Sequence, residues 1–217
     1  MNRAYIIVVG NQGAGKSVWT KKYVSSDDRL FVFDPTGSYA VDYDFEDTID
    51  GVLDKKISKF RIGTTEPEDA ELFGDAAFGT GKCTFVVEEC GLLFKRGEII
   101  EPWARRLIFM GRHPEVNIIF VAQRASSIPI DIRSQANRVI SFRQTNSDDV
   151  RALKEVFGKE FSAELSTFPD LRCLDWELGT INKYDLTIDG ESRKSSSEAE
   201  NTLNDTESET ESETEED

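Results

Sequence analysis

The sequence predicts an α/β fold in three layers, a mostly parallel sheet covered by helices on both faces. Three observations predict it. Short apolar, β-branched runs alternate with segments of helical spacing. A glycine-rich turn joins the first such run to the first helix. The 217 residues suffice for one α/β domain of ordinary size with a tail.

In chain order, residues 4–9 (AYIIVV) read as a buried strand, and KSVWTKKYV after the glycine-rich turn reads as a helix. Leu30 to Phe33 is a second strand, ending in the turn signal Asp34-Pro35-Thr36-Gly37. Asp44 to Ile57 carries Ile49, Val52 and Leu53 at helical spacing. Lys59 to Ile62 is a third strand, Pro67 to Phe78 a helix and Cys83 to Val87 a fourth strand. Glu101 to Met110 is a helix with Pro102 at a permitted first-turn position. Asn117 to Ala122 and Arg138 to Phe142 are further strands, and Ser147 to Phe157 is a helix with Ser147 as its expected cap. Cys173 to Glu177 and Lys183 to Ile188 are expected to close the sheet as a hairpin.

Composition excludes an integral membrane protein, since mean hydropathy is −0.43. The longest apolar run, Tyr5 to Val9, falls far short of the roughly 20 residues a span needs. The first ten residues have neither the apolar core nor the cleavage site of a signal peptide. Cys83, Cys90 and Cys173 are too few and scattered for a disulfide framework or zinc site, so a reducing setting is expected. The formal net charge of −15 argues at first against polyanionic partners. From Asp189 to Asp217, however, twelve acids face only Arg193 and Lys194, a net −10. Residues 1–188 hold 29 acids and 24 bases, a net −5, with cations available for local patches. The terminal stretch has one apolar residue larger than alanine, Leu203, and is expected to be a disordered acidic tail.

The turn after the first strand is Gly10-Asn11-Gln12-Gly13-Ala14-Gly15-Lys16-Ser17, a full G-x-x-x-x-G-K-[ST] phosphate loop. Its glycines let successive N–H groups form an anion-binding nest at a helix N-terminus. Lys16 would reach the β- and γ-phosphates, and the Ser17 hydroxyl would hold Mg²⁺. Thr84-Phe85-Val86-Val87 then runs into the paired carboxylates Glu88 and Glu89. Two acids serve two roles, Glu88 on the metal side and Glu89 facing an attacking water. The spacing between loop and acids leaves room for another strand between their two strands. Asn117 to Ala122 ends in Gln123 and Arg124, and Gln123 is placed to sense the γ-phosphate or the water. The loop Gly91 to Gly97 carries two cations between glycines, a candidate contact for nucleic-acid phosphates.

Taken together, GNQGAGKS, FDPTGSY, TFVVEE, GRHPEVNIIFVAQR and the later RVISFRQTNSDDVRALKEVFG resemble the FtsK–HerA superfamily of ring-forming DNA-pumping ATPases. Within it the pattern is most similar to the small genome-packaging ATPases of tailless, membrane-containing viruses, over about residues 4–160. The resemblance implies a RecA-like (ASCE) P-loop NTPase, a three-layer αβα sandwich over 1–188, followed by the tail at 189–217. It implies ATP and Mg²⁺ as ligands, Lys16 and Ser17 on nucleotide and metal, Glu88 on the metal, Glu89 as catalytic carboxylate and Gln123 as sensor. An arginine from a neighbouring subunit is expected to act on the phosphoryl group; Arg143, Arg138 and Arg124 are candidates in that order. The implied partners are double-stranded DNA, capsid or membrane vertex proteins and a homo-oligomeric ring, expected to be a hexamer. The implied location is host cytoplasm or the packaging vertex of the virion. Glu88 departs from the commoner aspartate, and the acidic tail has no counterpart in the pattern. Three alternatives stand beside this reading: a phage-extrusion ATPase resembling zonula occludens toxin, a nucleotide kinase, and a non-catalytic nucleotide-binding adaptor.

Overall fold

In the computed structural model, residues 3–39, 49–54, 57–94, 99–169 and 171–186 are described. Their order is β1 (Tyr5–Val9), α1 (Lys16–Tyr23), β2 (Arg29–Phe33), α2 (Ile49–Leu53), β3 (Phe60–Thr64), α3 (Ala70–Thr80), β4 (Thr84–Val87) and α4 (Pro102–Met110). Then follow β5 (Asn117–Ala122), α5 (Ile130–Arg133), β6 (Arg138–Ser141), α6 (Ser147–Phe157), α7 (Lys159–Ala163), β7 (Arg172–Glu177) and β8 (Thr180–Asp185). All eight strands form one sheet in the order β3-β2-β4-β5-β1-β6-β7-β8. β1 to β6 run parallel, whereas β7 and β8 are antiparallel to their neighbours. The room left between the loop strand and the acid strand is filled by β5, which pairs with β1 on one side and β4 on the other.

Side-chain alternation along β1 shows why the fold has three layers. Tyr5, Ile7 and Val9 enter one apolar cluster with Phe85, Phe120, Trp103 and Leu107 from β4, β5 and α4. Ile6 and Val8 enter a second cluster with Trp19 of α1 and Phe142 beyond β6. A strand buried on both faces reads as a continuous apolar run, as YIIVV does. Arg3 locks the N-terminal strand to α4: its guanidinium donates to the carbonyls of Leu107, Ile108 and Val116 at 2.6, 2.9 and 2.8 Å. A cation there suits the negative end of the helix dipole.

Several local expectations shift. The cap of α6 is Asn146, whose side-chain oxygen accepts from the Asp148 N–H at 2.9 Å; Ser147 is the first helical residue. β8 starts at Thr180 rather than Lys183, because Leu178 and Gly179 both take positive φ (48° and 95°) and make a two-residue hairpin turn. The helix expected from Pro67 opens with a tight 3₁₀ turn over Pro67–Asp69. The short helices α5 and α7 carry no legible periodicity of their own. Residues 44–48 and 55–56 of the expected second helix, 95–97 of the cationic loop, 187–188 of the expected last strand and the tail lie outside the described residues. The three cysteines are free and buried, and burial pushes the Cys83 and Cys173 thiols up to about 12.

Candidate functional site

The site forms at the C-terminal edge of the parallel strands, where β1, β4 and β5 end side by side. The phosphate loop leaves β1 at Gly10 and enters α1 at Lys16. A Cβ on Gly10 would stand 2.5 Å from the Phe142 Cβ, so only glycine lets the loop pass the end of β6. Gly13 and Gly15 take φ of 75° and 109°, conformations that glycine enters without a Cβ clash. The loop is tied to the β6 side by Asn11 N–H donating to the Arg143 carbonyl at 3.2 Å. Lys16 is buried, and its ammonium donates to the Gly10 and Asn11 carbonyls at 2.9 and 3.0 Å. Burial lowers its pKa, opposed by the charges of Glu89 and Glu88.

Glu88 is 4% exposed, and its Oε1 accepts from the Tyr39 hydroxyl at 2.9 Å. Burial pushes its carboxyl up to about 7; the Tyr39 and Ser17 hydrogen bonds pull it down, and the charges of Asp34 and Glu89 push it up. Ser17 and Glu88, the two residues expected at the metal, thus lie near enough for the serine hydroxyl to act on the carboxyl. A hydroxyl and a carboxylate suit Mg²⁺, which takes hard oxygen ligands, keeps several waters and draws others from phosphate. Among the described residues no group of three or more His, Cys, Asp or Glu is placed to hold a metal by itself.

Glu89 adopts φ 44° and ψ 45°, a left-handed backbone in a non-glycine residue. Such strain costs on the order of 1–3 kcal/mol and concentrates at functional sites. A straight strand would send two adjacent carboxylates to opposite faces of the sheet; the turn keeps both at its edge. The Glu88 Oε1 accepts from the Tyr39 hydroxyl, while the Glu89 Oε1 accepts from the Gln123 amide, each at 2.9 Å. Gln123 can do so because β5 lies directly beside β4, with Val87 opposite Phe120. The structure thus brings Ser17, Lys16, Glu88, Glu89 and Gln123 to one edge.

The three arginines lie apart from one another. Arg143 follows β6 beside the loop, where its carbonyl receives Asn11. Arg124 is half exposed next to Gln123, and its Nε donates to the buried Asp149 of α6 at 3.3 Å. Arg138 opens β6 opposite Ile6 of β1, at the other end of the strands from the loop. It pairs bidentately with Asp175 at 2.9 and 2.6 Å and packs over the stacked rings of Trp19 and Tyr23. The geometry does not bring Arg138 to this site.

Sequence reading missed Asp34 and Tyr39. Asp34 is 2% exposed and accepts from Thr36 N–H and Oγ1 at 3.1 and 2.7 Å and from Tyr39 N–H at 2.7 Å. The buried Tyr39 hydroxyl donates to the Glu88 Oε1 at 2.9 Å. The signals were the Asp-Pro-Thr-Gly turn and the FDPTGSY motif of the resemblance, which mark the segment without saying what it reaches.

No protein-family model matches the chain, and no curated protein matches it in sequence. Solved structures do share its architecture. The genome-packaging NTPase B204 from Sulfolobus turreted icosahedral virus 2, in complex with AMPPCP, is 18% identical with a TM-score of 0.73, over 84% of this chain and 98% of that one. The pCW3 conjugation coupling protein TcpA, with ATPγS, is 16% identical with a TM-score of 0.58, over 83% and 59%. VirB4 of Thermoanaerobacter pseudethanolicus is 9% identical with a TM-score of 0.56, over 85% and 89%. The fold is therefore that of the P-loop NTPases, and it is shared with a viral genome-packaging NTPase. Among the described residues no helix is long and apolar enough to cross a membrane.

Proposed function

We propose that the chain is a Mg²⁺-dependent ATPase of the FtsK–HerA type that translocates double-stranded DNA and packages a viral genome from a homo-oligomeric ring. The observation that carries this reading is the Gln123–Glu89 hydrogen bond at 2.9 Å, made by a strand inserted between loop and acids. A carboxylate held by a neutral amide stays an acceptor for a water proton, and the amide is free to exchange that bond as phosphate charge changes. Lys16 and the loop N–H groups bind the β- and γ-phosphates, and Ser17 and Glu88 are the side chains that would hold Mg²⁺. The metal supplies charge neutralisation on the phosphates when bound. Glu89 takes the proton of the attacking water, and Gln123 orients the carboxylate.

Packaging, rather than conjugative transfer, is supported by near-complete coverage of the B204 chain (98%) against 59% of TcpA. Arg143 and Arg124 are the preferred candidates to act on a neighbouring subunit's nucleotide, since they follow strand ends at the loop edge, and Arg124 makes a single 3.3 Å bond to Asp149 whereas Arg138 is held by two shorter bonds to Asp175. The hexamer, a location in host cytoplasm or at the virion vertex, and a capsid or membrane partner belong to the same proposal.

The test is ATP hydrolysis by the full-length chain titrated with duplex DNA. Stimulation that weakens steeply with salt is expected, since phosphate contacts release counterions. Hydrolysis indifferent to DNA would sink the translocase, and transfer of phosphate to a nucleoside would replace it with a kinase.

A further inference from the structure

We propose that Tyr39 is a positioning residue, tethering the Glu88 carboxylate in the orientation its metal-side role requires. This rests on the nucleotide and Mg²⁺ reading above. A glutamate has one more rotatable bond than the aspartate commoner at such a strand end, so its carboxylate sweeps a larger volume and loses more freedom when fixed. Burial raises the stakes. At 4% exposure water cannot orient the Glu88 oxygens, and protein donors must. The Tyr39 hydroxyl is such a donor, 2.9 Å from Oε1.

The tyrosine is itself held from three directions. Its N–H is bound to the Asp34 Oδ2 at 2.7 Å, at the end of β2. The other Asp34 oxygen accepts from Thr36, closing the turn. From α1, the Lys21 ammonium donates to the Ser38 carbonyl at 2.7 Å and sits 5.2 Å from the centre of the Tyr39 ring. Strand β2 also fixes the acid's backbone, because the Glu88 N–H donates to the Phe33 carbonyl at 2.9 Å. The turn from Asp34 to Tyr39 is therefore a strap joining β2, α1 and the acid after β4. It holds one carboxylate oxygen from behind. An ionised carboxylate has roughly four acceptor positions, so the tether leaves others for Ser17 and for waters of a bound ion.

The experiment uses the full-length chain and a fluorescent ATP analogue, titrated with Mg²⁺ and, separately, with EDTA. The variants are Tyr39→Phe, Glu88→Asp and the double variant, each with a melting curve. Tyr39→Phe is expected to weaken binding in Mg²⁺ about tenfold, the scale of a hydrogen bond to a charged group. Its binding in EDTA should stay within about twofold, since the loop is untouched. Glu88→Asp withdraws the carboxylate by one methylene, out of reach of the phenol, so in that background Tyr39→Phe should change nothing further. Equal losses in Mg²⁺ and EDTA, or the same penalty in both backgrounds, would show a merely structural tyrosine and overturn the proposal. Should Tyr39→Phe fail to fold, Asp34→Asn loosens the strap without touching the ring, and an unchanged Mg²⁺ response there overturns the proposal equally. A wild-type chain that binds no nucleotide under either condition would fail the functional reading instead.

Discussion

The two flanks of β1 are built for different work. On the β5–β4 side, parallel strands end in Gln123, Glu88 and Glu89, and polar side chains bond one another across the strand ends. On the β6–β8 side an antiparallel hairpin closes the sheet and apolar side chains crowd the loop: Phe142, Leu186 and Leu171 lie 3.1, 3.2 and 3.4 Å from where a Gly15 Cβ would be, beside the Asn11 bonds to the Arg143 carbonyl and Thr145 hydroxyl. The buried charged pair on that side, Arg138–Asp175, sits at the far end of the strands, and the pairs toward the loop end, Arg172–Asp185 and Lys183–Glu164, are solvent-exposed on the hairpin. A phosphate-binding loop needs both, a wall that stiffens it and a wall that carries acids and donors. The fold keeps them apart by placing β1 between them.

The sharpest break of this comparison is Glu89→Gln. Glutamine keeps the size and an acceptor for Gln123, and removes only the basic carboxylate. ATP turnover should fall about 10²–10⁴-fold, the usual weight of a positioned general base. Nucleotide affinity and melting temperature should hold. Turnover at the wild-type rate would remove Glu89 from the chemistry and leave the β4 flank without its central group.

Those residues were legible because each ends an apolar strand, and strand ends carry sites in α/β sheets. Gly10 to Ser17 and TFVVEE announce themselves by type and spacing. The inserted position of β5 was only permitted by chain length, since order in a sheet is decided by packing among strands distant in sequence. Asp34 and Tyr39 were illegible for a related reason: Tyr39 lies 49 residues from the acid it binds. Asn146 was passed over for Ser147 because either residue caps a helix well and one position separates them. Leu178-Gly179 hid its turn because a leucine rarely takes positive φ.

The opposite flank should fail in stability rather than chemistry. Asp175→Asn removes the bidentate, buried counter-charge of the partly buried Arg138 guanidinium and leaves only the Glu177 charge opposite it; the Arg138 side chain is 21% exposed and that of Asp175 1%. Discounting for that exposure, the loss should be about 2 kcal/mol, or roughly 4–8 °C in melting temperature. Turnover per folded molecule should not change. A variant that melts normally but hydrolyses poorly would mean that the hairpin flank tunes the site through Arg138, and the division between the flanks would collapse.

A last effect, of similar size but spread over about three pH units, lies back on the acid flank, in the pH dependence of the metal-free protein. Burial leads in raising the Glu88 carboxyl from 4.5 to about 7. A carboxyl raised by folding holds its proton more tightly in the native state than in the unfolded chain. Its contribution to stability is therefore complete below pH 4.5 and is lost as pH rises through about 7. In EDTA the wild-type chain should lose about 1–3 kcal/mol at this group between about pH 5 and 8, allowing for the neighbouring charges. Glu88→Gln carries no titrating proton and still offers Tyr39 an acceptor, so its stability should be flatter over that window and should exceed wild type at the alkaline end. Parallel curves would mean that Glu88 ionises without penalty. The donors from Tyr39 and Ser17 would then already offset its burial, and the strap would hold a carboxylate that is charged before any cation arrives.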